Sequence, residues 1–337
     1  MLTSVHQIFD MPPQDLDDYL ERGWFRMQQT IFTTHSIHKY GQPYTTLWLR
    51  NRLTDFEANS TFKSLAKRNK NFRVSIMPFE KTEPFDELYA KYRAPLPEDR
   101  IDDLDQVLFG DKKRNRFRSY TVSVFDGDKM IGAGVFDLGQ ESAAGITSFY
   151  DPAYAKYSLG KYLIYLKMEY CKSIGMKYFY PGYFVPGLPA FDYKLTMNRE
   201  TLEFYDPSKE RWLDISEYNP SCVFTDVIKA ALDHYKFILQ KEGLMSTLVH
   251  YIPYSATAEM LGITHHLAIP YFLHLPGQHK SGSDLAITYH PFKKEYQFFQ
   301  CTHLDPEDFL KNEFHTYCFT LANFVRVKKL QMFNPVS

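Results

Sequence analysis

Residues Ile146 to Lys194, ITSFYDPAYAKYSLGKYLIYLKMEYCKSIGMKYFYPGYFVPGLPAFDYK, constrain this chain more than any other stretch. They read as a strand, a glycine-bearing turn, an amphipathic helix, a second strand and an irregular aromatic loop. Leu163, Leu166 and Tyr170 recur at helical spacing between Lys161 and Ser173. Gly175 stops the helix, and Met176–Tyr180 resumes as strand. The turn Tyr157–Tyr162 opens the helix. A helix N-terminus offers unpaired N–H groups and a partial positive charge, which suit a phosphate or a developing oxyanion. One glycine before a helix also fits an ordinary connection, with Ser158 as a plain N-cap.

At 337 residues, with 44% hydrophobic and 23% charged residues, the chain has the length and composition of two or three globular domains with cores of their own. Its formal net charge of −1 excludes a protein coated in positive charge, though not a local basic track. Two segments offer such a track: Lys63, Lys67, Arg68, Lys70 and Arg73, and Lys112, Lys113, Arg114, Arg116 and Arg118. Either is equally a solvated face. The aromatic fraction of 17% fills cores first, and exposed rings can stack on bases or sugars. No run approaches the ~20 apolar residues of a membrane span, and the N-terminus lacks the basic and apolar regions of a secretory signal. Cys171, Cys222, Cys301 and Cys318 form no CxxC pair, so a reduced, cytoplasmic protein is expected.

Three regions follow from the pattern. Residues 1–77 read as a small β-rich domain, with a helix over 15–22, strands over 24–32 and 44–53, a helix over 56–69 and a strand over 72–77. Residues 78–215 read as the central domain. It begins with helices over 83–92 and 101–109, and Asp126-Gly127 marks a hairpin between strands over 119–125 and 130–138. Residues 216–337 read as an α/β extension: a helix over 223–242, strand and turn regions over 265–274 and 285–302, an exposed turn over 276–282 and a helix over 305–312.

The ordered motifs of the central region resemble the C-terminal domain of the aminoacyl-tRNA–protein transferases, the arginyl and leucyl transferases that extend protein N-termini. The motifs are Phe149-Tyr150-Asp151-Pro152, Ser158-Leu159-Gly160-Lys161-Tyr162, Glu169, Gly182-Tyr183 and Tyr193-Lys194. The resemblance runs over roughly residues 15–215. It takes in Gly23-Trp24-Phe25-Arg26, Lys67-Arg68-Asn69, Glu203, Asp206-Pro207 and Trp212-Leu213. It implies an α+β protein whose central domain has a GNAT-like mixed sheet with flanking helices. It also implies the activity, in which the α-amine of an acceptor protein attacks the ester of a charged tRNA carrying arginine or leucine. That ester is already activated, so no cofactor beyond the aminoacyl-tRNA co-substrate is required. On this resemblance Asp151 and Glu169 would recognise or deprotonate the amine, and Tyr193 and Lys194 would contact the tRNA end or polarise the ester. Ser158, Leu159, Gly160 and Tyr162 would cradle the terminal adenosine and its phosphate. Lys67, Arg68, Arg114 and Arg116 would bind the tRNA body, and Tyr150, Gly182 and Tyr183 would line the substrate pocket.

Two alternatives stay open: an acyl-CoA-dependent N-acyltransferase, and a non-catalytic homologue that binds tRNA or protein. The turn carries one glycine where acetyl-CoA folds carry a longer glycine motif. Pro181, Pro186 and Pro189 depart from the family pattern near the expected acceptor site, which opens substrate choice. His35-Ser36-Ile37-His38 occupies the place of the family's N-terminal cysteines. No cysteine precedes Cys171, and the two histidines with His6 make a meagre zinc set, so no metal is expected. Elemental analysis of anaerobically purified protein is expected to find neither iron nor sulfide in stoichiometric amount.

Overall fold

The computed structural model describes residues 3–96, 101, 103–112, 114–251, 269–277, 284–301 and 314–317. Its N-terminal strand β1 (Thr3–Gln7) is followed by helix α1 (Pro13–Glu21) and the hairpin β2 (Phe25–Met27) and β3 (Thr30–Thr34). These strands form an antiparallel sheet in the order β1-β3-β2. A second hairpin joins β4 (Ser36–Lys39) to β5 (Gln42–Thr45). Then come β6 (Leu47–Arg52), α2 (Ser60–Arg68), β7 (Arg73–Pro78), α3 (Glu83–Arg93) and α4 (Leu104–Leu108). The central stretch supplies β8 (Ser119–Asp126), β9 (Lys129–Leu138), β10 (Ser142–Tyr150), α5 (Leu159–Ser173) and β11 (Tyr178–Phe184), before β12 (Leu202–Asp206) and β13 (Arg211–Asp214).

Eight of these strands form one mixed sheet in the order β13-β12-β6-β11-β10-β9-β8-β7. The hairpin at Asp126-Gly127 and the neighbouring strands β8 to β11 follow the pattern read from the sequence, and α5 packs on them through Leu159, Leu163 and Met168. The expected boundary at residue 77 does not coincide with a break. β6 lies between β11 and β12, and β7 is the sheet's edge. Alternating apolar residues identified β6 as a strand, but its partners are more than 120 residues away in sequence, beyond the reach of local pattern. The strand expected over 24–32 is instead the hairpin β2–β3, turning through Gln28 at a φ of 54°.

A buried ion pair ties the N-terminal hairpin to this sheet. Arg26 of β2 meets Asp137 of β9 at 3.0 Å, with both side chains almost wholly buried. Ser119 Oγ donates to the same carboxylate at 2.5 Å, and Arg26 also donates to the Leu108 carbonyl at 2.8 Å. The guanidinium face covers the ring of Phe117 at 4.5 Å.

Helix α6 (Phe224–Lys241) packs on a five-stranded antiparallel sheet, β14 (Thr247–His250), β15 (Tyr271–Leu275), β16 (Asp284–His290), β17 (Glu295–Cys301) and β18 (Phe314–Tyr317). Ile228, Leu232, Tyr235 and Leu239 make its buried face against Leu273, Ile287 and Phe298. The segment expected over 285–302 is thus two strands, turning through Lys294 at a φ of 55°. The first part of the segment expected over 265–274 and the helix expected over 305–312 lie outside the described residues, as does most of the turn over 276–282. No helix among the described residues is long and apolar enough to cross a membrane.

Breaking the buried pair leaves one charge stranded in a dry interior. Arg26→Met is therefore expected to destabilise the fold by about 3–5 kcal/mol, read by urea denaturation. Replacing Arg26 and Asp137 together with Met and Leu should recover most of that loss.

Candidate active site

Of the neighbouring strand pairs in the large sheet only β10 and β11 are parallel, and they pair for three residues. The register is Ser142–Tyr178, Ala143–Phe179 and Ala144–Tyr180. Both strands bulge at that point. β10 shifts against β9 between Gly145 and Thr147, and β11 shifts against β6 between Phe179 and Gly182. A bulge bends its strand and increases local twist, so the two strands part. Pro181, which has no N–H to give to a ladder, sits inside the second bulge.

Two cavities occupy the parting, one on each face of the sheet. The first, of 150 Å³, lies on the α5 side and is lined by Thr147, Ser148, Ile164, Lys167, Phe179 and Tyr193. The second, of 240 Å³, lies toward the N-terminal hairpin, with Phe25, Arg26, Phe32, Trp48, Tyr183 and Phe191 in its wall. Gly145, Ile146, Pro181 and Lys194 belong to both. The second wall is a cluster of rings. Phe25 stacks on Trp48 with centroids 3.8 Å apart, and Phe32 and Tyr183 meet Trp48 edge-on at 5.5 and 5.0 Å.

Lys194 stands where the cavities meet. Its Nζ donates to the Tyr183 carbonyl at 2.7 Å and lies 5.6 Å from the ring centres of Tyr183 and Phe191. Burial pushes the ammonium down to about 7, and it raises the Tyr193 phenol beside it. Gly182 has a φ of +85°, and a Cβ there would come within 3.3 Å of Lys194 Nζ. The structure thus brings Gly182, Tyr183, Tyr193 and Lys194, chosen from sequence, to one place.

Lys167 was not singled out by the sequence. It is 1% exposed, and its Nζ meets the Thr147 carbonyl at 2.8 Å, Ser148 Oγ at 3.0 Å and the Val135 carbonyl at 3.1 Å. Burial holds this ammonium down to about 7 as well. The available signal was spacing: Lys167 lies four residues after buried Leu163 and four before buried Cys171, on the face that α5 turns inward. The aromatic wall likewise gave no local signal, because its rings come from β2, β3, β6, β11 and the loop after it.

The remaining expected residues divide among other places. Asp151 is 6% exposed and committed, with one oxygen accepting the Ala153 N–H at 3.0 Å and the other paired with Lys129 at 2.7 Å. Lys129 and that N–H hold its carboxyl below the usual range. Glu169 lies two residues from Lys167, about 200° around the helix, so it faces away from the cavity. Neither carboxylate lines either cavity.

At the N-terminus of α5 the left-handed residue is Ser158, with a φ of 55°, and not Gly160. Gly160 instead makes room for Tyr150, whose Cε1 would lie 3.3 Å from an added Cβ. Tyr150 also packs on Tyr92 at 5.7 Å, outside both cavities. Leu159 and Tyr162 are buried in the core of the sheet. Arg68 lies against the turn, with Nη1 3.4 Å from Ser158 Oγ and 3.3 Å from the Lys156 carbonyl. Ser60, Thr61, Ser64, Arg68, Ser158 and Lys161 line an open groove here, and Lys67 is exposed beside it. Arg116 is occupied by the Ile8 and Gln29 carbonyls, while Arg114 is exposed. Both precede β8, whose first residue pairs near the β10 end opposite Tyr150. The two basic segments therefore lie toward opposite ends of β8, since Arg73 pairs with Phe125.

The three histidines weighed as a meagre zinc set also divide. His35 is buried among Tyr205, Phe224 and Phe292, its imidazole pushed down to about 3 by desolvation. His38 faces His250 across 5.2 Å, and His6 packs on Trp24.

Residues 83–203 match the family model described as arginine-tRNA-protein transferase, C terminus. Those residues belong to the aminoacyl-tRNA–protein transferase family. The chain is 28% identical over 171 residues to the aspartate/glutamate leucyltransferase of Leptospira interrogans, which covers 49% of this chain and 66% of that protein. It is 30% identical over 147 residues to the enzyme of the same description from Acinetobacter baylyi, covering 42% and 53%. It thus spans between half and two thirds of those relatives' lengths. Among solved structures, the ribosomal-protein-S18-alanine N-acetyltransferase of Escherichia coli superposes with a TM-score of 0.23 at 16% identity, over 31% of this chain and 63% of that one. Within the matched residues, the motifs Gly182-Tyr183 and Tyr193-Lys194 are the ones that meet at the parted strands.

Buried Lys167 and part-buried Lys194 make stability depend on pH. Each ammonium is held near 7 in the fold against 10.5 as its ordinary value, so between those limits the unfolded chain binds more protons. Stability should therefore rise from pH 7 toward 10 by up to about 1.4 kcal/mol per pH unit for each lysine. Denaturation midpoints across that range are expected to climb in the native protein and to climb less in Lys194→Met.

Proposed function

We propose that this chain transfers an aminoacyl group from charged tRNA to the N-terminal α-amine of a protein by direct aminolysis of the ester. The observation that carries this reading is the parting of β10 and β11, with a cavity on each face and Lys194 at their junction. The order of strand, helix and parallel strand, with the strands parting beyond a short register, is the GNAT-like arrangement for presenting an acyl carrier to an amine. A two-sided opening lets a carrier enter on one face and an acceptor on the other, with the carbonyl at the junction. Lys194 then contributes a positive charge beside the developing oxyanion.

The groove at the N-terminus of α5 suits the carrier's phosphates. It combines the free N–H groups of a helix start with Arg68 and Lys161. Ser158 precedes Lys167 by nine residues, roughly 13 Å along the helix axis, so a carrier anchored in the groove reaches the cavity with its terminal nucleoside.

For the amino acid, we favour leucine over arginine, and an acidic N-terminal residue on the acceptor. No carboxylate lines either cavity among the described residues, while Lys194 stands at their junction with the ring cluster beside it. A guanidinium would find no acidic partner there, whereas an apolar side chain finds rings and an acidic acceptor finds the Lys194 ammonium. The leucyltransferase relatives point the same way.

A transfer assay with leucyl- and arginyl-tRNA, and peptides beginning with Asp, Glu or Ala, tests this. Leucine transfer to Asp and Glu peptides is expected, and arginine transfer would overturn the specificity. Arg68→Gln and Lys161→Gln should each lower the salt slope of tRNA binding by about 0.7–0.9, a change that Arg116→Gln should not produce.

A further inference from the structure

Aminolysis needs a group to carry the proton that the attacking amine loses, and the carboxylates chosen from sequence do not reach the cavities. The α5-side cavity holds a different pair. Ser148 Oγ is 3.0 Å from Lys167 Nζ, and both residues line the same wall. The space for them comes from Gly134, where a Cβ would lie 2.8 Å from Lys167 Nζ and 3.0 Å from Ser148 Oγ.

The other partners of Lys167 are the Val135 and Thr147 carbonyls, both acceptors. No carboxylate lies within ion-pair distance of it among the described residues. A neutral amine has two N–H groups and one lone pair. The carbonyls take the two N–H groups, and the Ser148 hydroxyl gives its proton to the lone pair. An ammonium keeps the same three neighbours, donating its third N–H to Ser148 Oγ while the hydroxyl turns its own proton toward the cavity. The same set of contacts therefore satisfies Lys167 in either protonation state. Only the direction of one hydroxyl proton changes.

We propose that Ser148 and Lys167 form a proton relay between the cavity and the protein interior. This rests on the transfer reading above. As the amine nitrogen bonds to the ester carbonyl carbon, its proton passes to Ser148 Oγ and the serine's own proton passes to Lys167 Nζ. As the tetrahedral intermediate collapses, the bond from the carbonyl carbon to the ribose oxygen breaks. The proton returns from Lys167 through Ser148 to that oxygen. Ester and amine become amide and alcohol, with no net proton released.

The surroundings keep Lys167 within reach of both states. Burial pushes its ammonium down to about 7, against a smaller upward pull from Asp137 of β9, which is itself paired with Arg26. The Cys171 thiol on the same helix is pushed up to about 12 by burial, so it stays uncharged near neutrality. Tyr193 and Lys194 face the cavity from the segment after β11.

Single-turnover leucine transfer, measured against pH around neutrality, tests the relay in the native protein, Ser148→Ala and Lys167→Met. Both variants are expected to lose about 10²–10⁴-fold in rate, with KM for the acceptor peptide held within a few fold. The acid limb of log rate against pH should be shallower by about one in Lys167→Met, because one group that must begin unprotonated is gone. Lys194 is unchanged in both variants, so the difference in slope reports Lys167. Ser148→Ala keeps both carbonyl contacts of Lys167 and should melt at the native temperature, which separates lost chemistry from lost structure. A native protein that transfers leucine no faster than Ser148→Ala would overturn the relay alone. A leucyl ester trapped on Ser148 would overturn it in favour of a covalent route. A native protein inert with every charged tRNA would overturn the transfer reading and the relay with it.

Discussion

Two strands that run parallel for three residues and then separate set the terms for the rest of this structure. A parallel pair requires a crossover, and α5 is that crossover, packed back on the sheet through its apolar face. Because β10 and β11 separate beyond Ala144 and Tyr180, their facing backbone groups no longer satisfy one another. Something polar has to serve them, and the protein supplies lysines: Lys167 reaches the Thr147 carbonyl on one strand, and Lys194 reaches the Tyr183 carbonyl on the other. The cavities, the buried cations and the ring-lined wall all follow from this one gap.

The gap also explains why the N-terminal residues are built into the central sheet. β6 pairs with β11 on the side away from β10, so it holds the departing strand in place. The pair between Arg26 and Asp137 fixes the hairpin that carries Phe25 and Phe32 against the same opening. A buried ion pair is weak evidence for stability in itself. Here it sets the position of one wall of a cavity relative to the sheet that forms the other.

Much of this was legible in the sequence. Alternation over 119–138, the Asp126-Gly127 turn and the helical spacing after Gly160 gave β8, β9 and α5, and the family motifs pointed to Tyr193 and Lys194. Lys167 was not legible, because a lysine within an amphipathic helix ordinarily marks its solvated side. Only the fold shows that its column, with Leu163 and Cys171, is the buried one. The position of Asp151 away from the cavities was hidden for a related reason. An Asp before a proline is equally a cap, and here it caps the following turn and pairs with Lys129. The pairing of β6 with β11 was not legible because strand pairing across more than 120 residues leaves no local trace.

The two lysines at the gap share a further property. Each stands beside a glycine whose missing side chain is the space it fills, Lys167 beside Gly134 and Lys194 beside Gly182. Across an evolutionary lineage, Gly134 and Lys167 should therefore be inherited as a couple. A descendant that lost Lys167 would be released to accept alanine or serine at 134, and one that gained bulk at 134 would have to surrender the lysine. Glycine at 134 records that an ammonium group is housed next door, whereas glycine at 182 is demanded by its φ of +85° as well.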